Sequence, residues 1–180
     1  MLKACDWLIV NLNTRCYADS ESQRALLIEQ GIALPDNIKV LGAGSLAGVD
    51  LVKIENWRLL EHSLKLKADL RIPENAKVIT FVGRVTRDKG IAELVAAFDK
   101  VRSKDKNAVL ILVGPLEPEQ DPLPEYLLTA INSNPHIRIV GYDPSPEKYL
   151  VISHVLCLPC YREGFGNVVI EAAAFGVPAV

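Results

Sequence analysis

Residues 77–114 read KVITFVGRVTRDKGIAELVAAFDKVRSKDKNAVLILVG, and this stretch decides the fold class. Its two ends, 77–83 and 108–114, are mostly apolar runs without polar alternation, and each finishes in glycine. Such runs are typical of strands that are covered on both faces, as in a parallel sheet. Between them, a helical spacing places five apolar residues on one face: Ile91, Leu94, Val95, Phe98 and Val101. The stretch therefore predicts a strand, a helix and a second parallel strand.

Similar runs on both sides of this stretch predict further strands, which cover residues 6–12, 38–44, 137–141 and 154–160. Helical patterns separate them. In residues 19–30, Ser20 and Gln23 have the spacing of a capping box, and Gly31 follows the last turn. Residues 145–153 begin with Ser-Pro-Glu, which is typical of a helix start with proline in the first turn. The alternation predicts an α/β fold with a Rossmann-like, doubly wound parallel sheet.

The pattern changes in the middle of the first half of the chain. Residues 45–56 are typical of a loop, and residues 57–75 indicate a helix and a turn before the next strand. We therefore expect residues 1–50 to be the tail of one domain with a connecting loop, and residues 51–180 to be a second, nucleotide-binding domain. The last three residues, 178–180, are typical of the beginning of another strand, so the chain is expected to be cut at both ends.

Composition excludes several classes of protein. The 180 residues are 49% hydrophobic with a net charge of −2, which suits a globular fold and leaves no electrostatic footprint for nucleic acid. The 4 cysteines are irregularly spaced, unlike a secreted disulfide framework. Because Asp6 interrupts the first apolar run, the start is not a signal peptide, and no run reaches the ~18 apolar residues of a membrane helix. These features predict a cytoplasmic protein.

Two segments at predicted strand ends carry the chemistry, since ligands of open parallel sheets bind there. The first is GRVTRDKG, residues 83–90, which supplies Arg84, Arg87 and Lys89 at the start of a helix. Cations beside free backbone N–H groups attract phosphate. The spacing is not that of a P-loop, and a solvated basic turn is an equal interpretation of this segment alone.

The second segment follows the strand predicted at 154–160 and reads YREGFGN, residues 161–167, before the apolar helix VVIEAAAFG. Glycines at 164 and 166 allow a ligand to approach the backbone, and the helix start favours an anion. Glu171, expected in about the first turn, could accept hydrogen bonds from sugar hydroxyls. An isolated glutamate in this position is more often a surface residue that compensates the helix dipole.

Taken together, these segments resemble a known family. From GRVTRDKGIAELVAAF to YREGFGNVVIEAAAFGVP, the chain closely resembles the donor-binding domain of family 4 glycosyltransferases, which have the GT-B fold. Glu163 and Glu171 match the family's E-x7-E motif, and Arg84 and Lys89 match its basic pair. Residues 42–51, GAGSLAGVDL, are similar to the interdomain crossing of a subgroup that builds bacterial capsule, O-antigen or lipid-linked glycans. The resemblance implies an incomplete C-terminal half of a GT-B enzyme.

The resemblance also implies roles for individual residues. Arg84 and Lys89 would neutralise a diphosphate leaving group, and Glu163 would act with them at the donor sugar. Glu171 would hold the ribose hydroxyls. The backbone amides of four residues would contact sugar and phosphate: Gly164, Phe165, Gly166 and Asn167. The nucleotide base would lie near three more: Val140, Gly141 and Tyr142.

The reaction implied is a retaining transfer of a sugar from a nucleoside diphosphate donor to a glycan or lipid-linked acceptor. In most of the subgroup the donor is UDP-linked. The pathway implied is polysaccharide biosynthesis. The family generally needs no metal, and the chain contains no Asp-x-Asp that could hold one against a diphosphate. Neither a metal nor a cofactor is therefore expected. A lipid-linked acceptor would bring peripheral contact with the inner membrane face through another domain. Exposed apolar surface would favour self-association of the chain.

Two alternative functions stay open. The chain could bind a nucleotide sugar without catalysis, because acceptor contacts in GT-B enzymes come mainly from the other domain. Glu163 and Glu171 could instead be the carboxylates of a glycosidase. The glycosidase interpretation leaves Arg84 and Lys89 unexplained, because hydrolysis of a glycoside releases no diphosphate.

Other motifs are weaker. CLPC, residues 157–160, has the spacing of a metal or redox pair, but on a predicted strand its cysteines would face opposite ways. GAGSLAG, residues 42–48, is G-x-G-x-x-x-G rather than a dinucleotide fingerprint. We interpret His154 as structural and Trp57 as a residue that packs against a neighbouring helix.

Overall fold

The computed structural model describes residues 2–44, 48–161 and 163–180, with side chains throughout except at residues 2 and 60. The chain divides into two compact units, one of Met1–Gly48 with Glu163–Asn167 and the other of Val49–Arg162 with Val168–Val180. No helix in the described ranges is long and apolar enough to cross a bilayer.

Among its described residues, the first unit contains two helices and two parallel strands: α1 (Leu2–Leu12), β1 (Cys16–Ala18), α2 (Glu21–Glu29) and β2 (Ile38–Val40). Its small core consists of Val10, Ala18, Ile32, Ala33 and Ile38. The predicted strand at 38–44 is confirmed at its beginning, where Cys16 pairs with Ile38.

The strand predicted at residues 6–12 is wrong, since these residues belong to α1. Within α1, Val10 is buried, whereas Ile9 and Leu12 are exposed. The side chain of Asn13 donates to the carbonyl of Ile9, which satisfies one of the acceptors that a helix leaves open at its end. A short apolar run does not distinguish a strand from a helix, and here the helix is formed.

The predicted start of α2 is confirmed. The Ser20 hydroxyl accepts a hydrogen bond from the Gln23 backbone N–H at 3.2 Å, and the Gln23 side chain accepts one from the N–H of Asp19 at 2.8 Å. Gly31, just after the helix, has φ +67°, a conformation in which glycine is favoured.

The second unit is built on a parallel sheet of four strands in the order β5-β4-β3-β6. The strands are β3 (Lys77–Val82), β4 (Ala108–Val113), β5 (Ile137–Gly141) and β6 (Val155–Leu156). This confirms the parallel α/β fold expected from the continuous apolar runs. The last strand is shorter than predicted and ends at Leu156, although the N–H groups of Cys157 and Leu158 still donate to the carbonyls of Thr80 and Val180.

Helices cover both faces of this sheet: α3 (Leu51–Trp57), α4 (Leu60–Asp69), α5 (Ile91–Lys104), α6 (Glu125–Ser133), a 3-10 helix (Pro146–Ile152) and α7 (Asn167–Phe175). Alternate residues of β4 enter two different cores. Ala108, Leu110 and Leu112 pack with residues of α5 and α6. Val109, Ile111 and Val113 pack with residues near α4 and in the 3-10 helix. Every residue of β4 is buried as a result, which is why its sequence shows no alternation.

The loop predicted over residues 45–56 is wrong from residue 51 onward, where α3 begins; residues 45–47 lie outside the described ranges. The side chain of Asp50 accepts a hydrogen bond from the Lys53 N–H at 3.0 Å and so caps α3. Ile54 is buried on the inner side of this helix. Trp57 ends α3 and contacts His62 of α4 edge to face, with ring centroids 5.1 Å apart.

Candidate functional site

Glycines end three neighbouring strands of the sheet and form its carboxyl edge. Gly83 donates its N–H to the carbonyl of Val113 at 2.9 Å, and Gly114 donates to the carbonyl of Gly141 at 2.9 Å. Gly114 has φ +140°, and a side chain there would overlap the Gly83 carbonyl. This edge of an open parallel sheet is where ligands bind, and the segments with the predicted cations start from it.

Arg84 follows β3 directly and lies between two carboxylates. Its Nη1 atom is 2.8 Å from Glu117 Oε2, and its Nη2 atom is 3.4 Å from Asp88 Oδ2. The hydrogen bond and charge of Glu117 raise the pKa of Arg84 further above its usual value. Because 43% of the guanidinium-bearing side chain is exposed, Arg84 is a permanent cation that a ligand can reach.

Asp88 organises the loop that contains both predicted cations. The Thr86 hydroxyl donates to Asp88 Oδ1 at 2.5 Å, and the backbone N–H of Asp88 donates to Asp121 Oδ2 at 2.7 Å. The pKa of Asp88 is lowered, first by the Thr86 hydrogen bond and then by the charges of Arg84 and Lys89. The structure thus brings Arg84 and Lys89 to the same carboxylate.

The end of this loop is fixed by backbone contacts within the second unit. Gly90, with φ +69°, precedes α5, and a side chain there would overlap the carbonyl of Pro159. Tyr161 donates its N–H to the Asp88 carbonyl at 3.0 Å and its hydroxyl to Glu93 at 2.5 Å. The contacts of Asp88 and Gly90 therefore fix the backbone on both sides of Lys89.

The segment 163–167 belongs to the first unit. Glu163 is exposed, and its Oε1 atom accepts a hydrogen bond from the N–H of Gly164 at 3.1 Å. The Phe165 ring packs on Gly44, where an added Cβ would lie 2.7 Å from Phe165 Cδ2. Phe165 thus fixes the segment through its ring, and its predicted ligand contact through the backbone stays a prediction. Arg162 lies outside the described residues.

Gly166 and Asn167 lead into α7. Gly166 is buried with φ +69°, and Asn167 is the first residue of the helix. Glu171 is the fifth residue of α7, at the start of its second turn, and is partly buried rather than exposed. Burial raises the pKa of Glu171, the charge of Glu147 raises it further, and Lys53 acts against both. A partly buried carboxyl is suited to directional hydrogen bonds.

Sequence reasoning missed the carboxylates of Glu117 and Asp121 and the ion pair of Lys53 and Glu147. Glu117 and Asp121 follow the end of β4, which is itself a signal, because residues after a parallel strand lie at the ligand edge. Lys53 and Glu147 carry no local signal, since they are far apart in the sequence and meet only in the fold. The residues suggested for base contact, Val140, Gly141 and Tyr142, include an exposed tyrosine and remain a prediction.

The weaker motifs have structural explanations. His154 Nδ1 accepts a hydrogen bond from the Val78 N–H at 3.1 Å, and burial lowers the pKa of His154, as expected for a structural residue.

Residues 157–160 are not a strand, and Cys157 and Cys160 both pack against the same core, contrary to the opposite orientation predicted. Burial raises the pKa of Cys157, which makes its thiol a poor metal ligand. Across the described residues, no group of three or more metal-ligating side chains occurs.

Comparison with known proteins places these features in a family. The family profile described as "Glycosyl transferases group 1" matches residues 63–180. The capsular polysaccharide biosynthesis glycosyltransferase CapM of Staphylococcus aureus is 35% identical over 167 residues, which are 93% of this chain and 43% of CapM. A D-inositol 3-phosphate glycosyltransferase of Corynebacterium efficiens is 31% identical over 185 residues, or 99% of this chain and 42% of that protein.

Solved structures agree in fold. The Anabaena protein HepE, in complex with UDP-glucose, superposes with a TM-score of 0.77 at 22% identity over 99% of this chain and 48% of HepE. Sucrose-phosphate synthase from Thermosynechococcus elongatus gives 0.71 at 25% identity over 98% of this chain and 42% of that structure. The predicted Rossmann-like fold is thereby confirmed, and the chain spans less than half the length of these relatives. Since the family profile covers about two thirds of the residues, the chain belongs to the glycosyl transferases group 1.

Proposed function

We propose that this chain forms the donor-binding part of a retaining glycosyltransferase in polysaccharide biosynthesis. The donor would be a nucleoside diphosphate sugar, with UDP as the nucleotide, and the acceptor a hydroxyl of a glycan or lipid-linked glycan. The observation that carries the proposal is the pair of cations, Arg84 and Lys89, in the loop between β3 and α5, within the family match. The names of CapM and of TuaC from Bacillus subtilis, a putative teichuronic acid biosynthesis enzyme, support the pathway class. The HepE complex with UDP-glucose supports the donor.

Charge development explains why two cations are needed. In the transfer, the bond between the sugar C1 and the phosphate oxygen breaks, and the diphosphate leaves with the electron pair. The acceptor oxygen bonds to C1 on the same face, and its proton passes to the departing diphosphate. Arg84 and Lys89 stabilise the growing negative charge, with charge-assisted hydrogen bonds worth roughly 1.5–3 kcal/mol each. We propose that these side chains replace a divalent metal in that role.

The remaining residues bind the donor in this proposal. Glu163 and the amides of Gly164–Asn167 contact the sugar and phosphate, as the family pattern implies. Glu171 accepts hydrogen bonds from the ribose hydroxyls. In this proposal the acceptor binds to another domain. A lipid-linked acceptor would bring that domain into contact with the cytoplasmic face of the membrane.

Calorimetric titration of the chain with UDP, GDP, ADP and NAD tests the donor proposal. We expect UDP to bind, and Lys89→Ala to weaken UDP binding by about 10-fold or more, which corresponds to the loss of one charge-assisted hydrogen bond. Lys100→Ala, on the exposed side of α5, is the matched control and should bind as the unsubstituted chain does. Binding of NAD alone, or equal loss in both lysine variants, would overturn the proposal.

A further inference from the structure

A cavity of about 580 Å³ lies beside the first turns of α5 and α6, within the second unit. Four segments of the described chain supply its walls: the loop between β3 and α5, the start of α5, the residues that lead into α6, and Tyr161 after β6. Its described lining includes neither Arg84 nor Lys89, the cations of the candidate donor site. Because small-molecule sites commonly have ~300–1,000 Å³, the cavity is large enough for a ligand of its own.

Two exposed tyrosines line this cavity. Tyr126, in the first turn of α6, is 72% exposed, and Tyr161 is 69% exposed. Leu123 and Leu127 also line it and belong to the core on the same side of the sheet. Aromatic rings that stay exposed forgo the free energy of burial, and two of them beside one cavity indicate a surface that a ligand covers.

The polar part of the lining consists of one guanidinium and several carboxylates, which belong to Arg87, Asp88, Glu93 and Asp121. An ionised carboxylate only accepts hydrogen bonds and a guanidinium only donates them, so the cavity offers both kinds of partner. A sugar uses both, because each hydroxyl group donates and accepts. The C–H groups on the face of a pyranose ring also pack well on aromatic side chains. This combination of side chains fits a saccharide.

Hydrogen bonds join the walls of the cavity to one another. The Tyr161 hydroxyl donates to Glu93 Oε1 at 2.5 Å, and the Tyr161 N–H donates to the carbonyl of Asp88 at 3.0 Å. The N–H of Asp88 donates to Asp121 Oδ2 at 2.7 Å. All four wall segments are connected in this way. A preformed site loses less conformational freedom when its ligand binds, so these contacts favour binding.

A cationic ligand is the alternative that three carboxylates in the described lining suggest. Their charge is partly compensated, however, since Arg84 Nη2 lies 3.4 Å from Asp88 Oδ2 and Arg87 lines the cavity itself. A carboxylate that already accepts one hydrogen bond keeps lone pairs for others. The lining therefore favours a neutral ligand with several hydroxyl groups over a cation.

We propose that this cavity is a second saccharide site, which binds a neutral sugar residue of the glycan acceptor: its tyrosines pack on the sugar ring, and its carboxylates accept hydrogen bonds from the hydroxyl groups. The assignment to the acceptor rests on the proposed function. The reacting end of the glycan binds to the other domain, while a more distant sugar of the same glycan binds here. Two contacts on one glycan strengthen its binding, because the second contact forms intramolecularly.

NMR titration of the isotope-labelled chain with four disaccharides, maltose, cellobiose, lactose and chitobiose, tests the site. We expect at least one of them to shift the backbone amide signals of Glu93, Asp121 and Tyr126, with a dissociation constant of about 1–10 mM. Saturation with UDP should leave this affinity unchanged, because Arg84 and Lys89 are not part of the described lining.

Substitutions locate the bound sugar. Tyr126→Ala removes an exposed ring and should weaken saccharide binding by at least about 5-fold, whereas Tyr126→Phe keeps the ring and should stay within about 2-fold. Glu93→Gln should weaken binding by about 10-fold, since hydrogen bonds to a charged acceptor are lost. Asp99→Asn, at an exposed position of the same helix, is the matched control and should bind as the unsubstituted chain does.

Several results would overturn the saccharide site. One is the absence of shifts at these amides with every disaccharide at about 50 mM, and another is equal affinity in Tyr126→Ala. Loss of saccharide binding in Lys89→Ala, or its displacement by UDP, would show that the sugar occupies the donor site instead. Shifts caused by a lysine-containing tripeptide but by none of the disaccharides would assign the cavity to a cationic partner.

The titration separates this inference from the donor proposal, because it needs no nucleotide. Failure of the chain to bind UDP would overturn the donor proposal, whereas saccharide binding that Tyr126→Ala weakens would still support the site.

Discussion

At the scale of single residues, Arg84 is a cation that a ligand can reach and that two carboxylates hold in place. Its guanidinium contacts Glu117 at 2.8 Å and Asp88 at 3.4 Å. A diphosphate that binds Arg84 competes with these carboxylates for the same N–H groups. The affinity for the donor then depends on how much more strongly Arg84 contacts the diphosphate than it contacts these carboxylates. Substitution of either carboxylate should therefore change that affinity.

Glu117→Gln tests this competition. The substitution keeps the shape of the side chain but removes its charge, so Arg84 is released more easily toward a phosphate. An ion pair of this exposure is worth about 0.2–1 kcal/mol, which corresponds to an increase in UDP affinity of up to about 5-fold. Glu125→Gln on α6 changes the net charge equally and should have no effect. Weaker UDP binding in Glu117→Gln would show that Glu117 instead orients Arg84 for the ligand.

At the scale of elements, the 3-10 helix is held by a network around Asp143. The Tyr149 hydroxyl donates to Asp143 Oδ2 at 2.8 Å, Lys148 Nζ lies 2.6 Å from the same oxygen, and Ser145 donates its N–H to Oδ1 at 2.8 Å. Burial and the hydrogen bond to Asp143 raise the pKa of Tyr149 well above its usual value. Since this helix also carries Glu147, its stability bears on the ion pair of Glu147 with Lys53.

Tyr149→Phe should therefore destabilise the second unit. The substitution removes one hydrogen bond to an ionised carboxylate and leaves the buried ring in place, at a cost of about 1.5 kcal/mol. For a chain of this size that lowers the thermal midpoint by about 3–6 °C, which differential scanning calorimetry resolves. Tyr126→Phe, at an exposed tyrosine of α6, should leave the midpoint unchanged. Equal midpoints in both variants would contradict a stabilising role of the network.

Elements with strong local patterns were predictable, whereas contacts between distant residues were not. The sequence predicts β3, β4 and the buried face of α5 because burial on both faces leaves a run without alternation. It fails at α1, where an apolar run is compatible with either element. In the candidate site, the motif spacing identifies Arg84, but the partner Glu117 comes from a different strand end. Arg84 and Glu117 come together only because β3 and β4 pair side by side in this register.

At the scale of the whole molecule, a change of pH acts on the free energy of unfolding in opposite directions through different carboxyl groups. Burial acts to raise the pKa of Asp143, but its hydrogen bonds and the charge of Lys148 outweigh burial and leave the pKa lowered. The pKa of Asp88 is also lowered. Both groups stabilise the fold above their unfolded-state pKa, and that contribution is lost as the pH falls through the folded-state pKa. Glu171, whose pKa is raised, destabilises the fold once it ionises.

The raised pKa of Glu171 predicts a conflict between stability and function. As the pH rises from the unfolded-state pKa of Glu171 through its folded-state pKa, stability decreases, because the folded chain binds the proton more tightly. Glu171→Gln is neutral at every pH and should raise the urea midpoint at pH 7, while the two midpoints converge below the unfolded-state pKa, about 4.3. Glu74→Gln, at an exposed turn outside the helices, is the control and should leave the urea midpoint unchanged at both pH values.

A lower midpoint for Glu171→Gln at pH 7 would contradict the prediction and would show that favourable contacts of the ionised carboxylate outweigh the cost of its burial. A higher midpoint, together with weaker UDP binding, would show that the fold keeps an unfavourable charge in α7 for the sake of its ligand. Binding sites commonly retain such residues at the expense of stability. An acid in this position then has a functional explanation that packing alone does not supply.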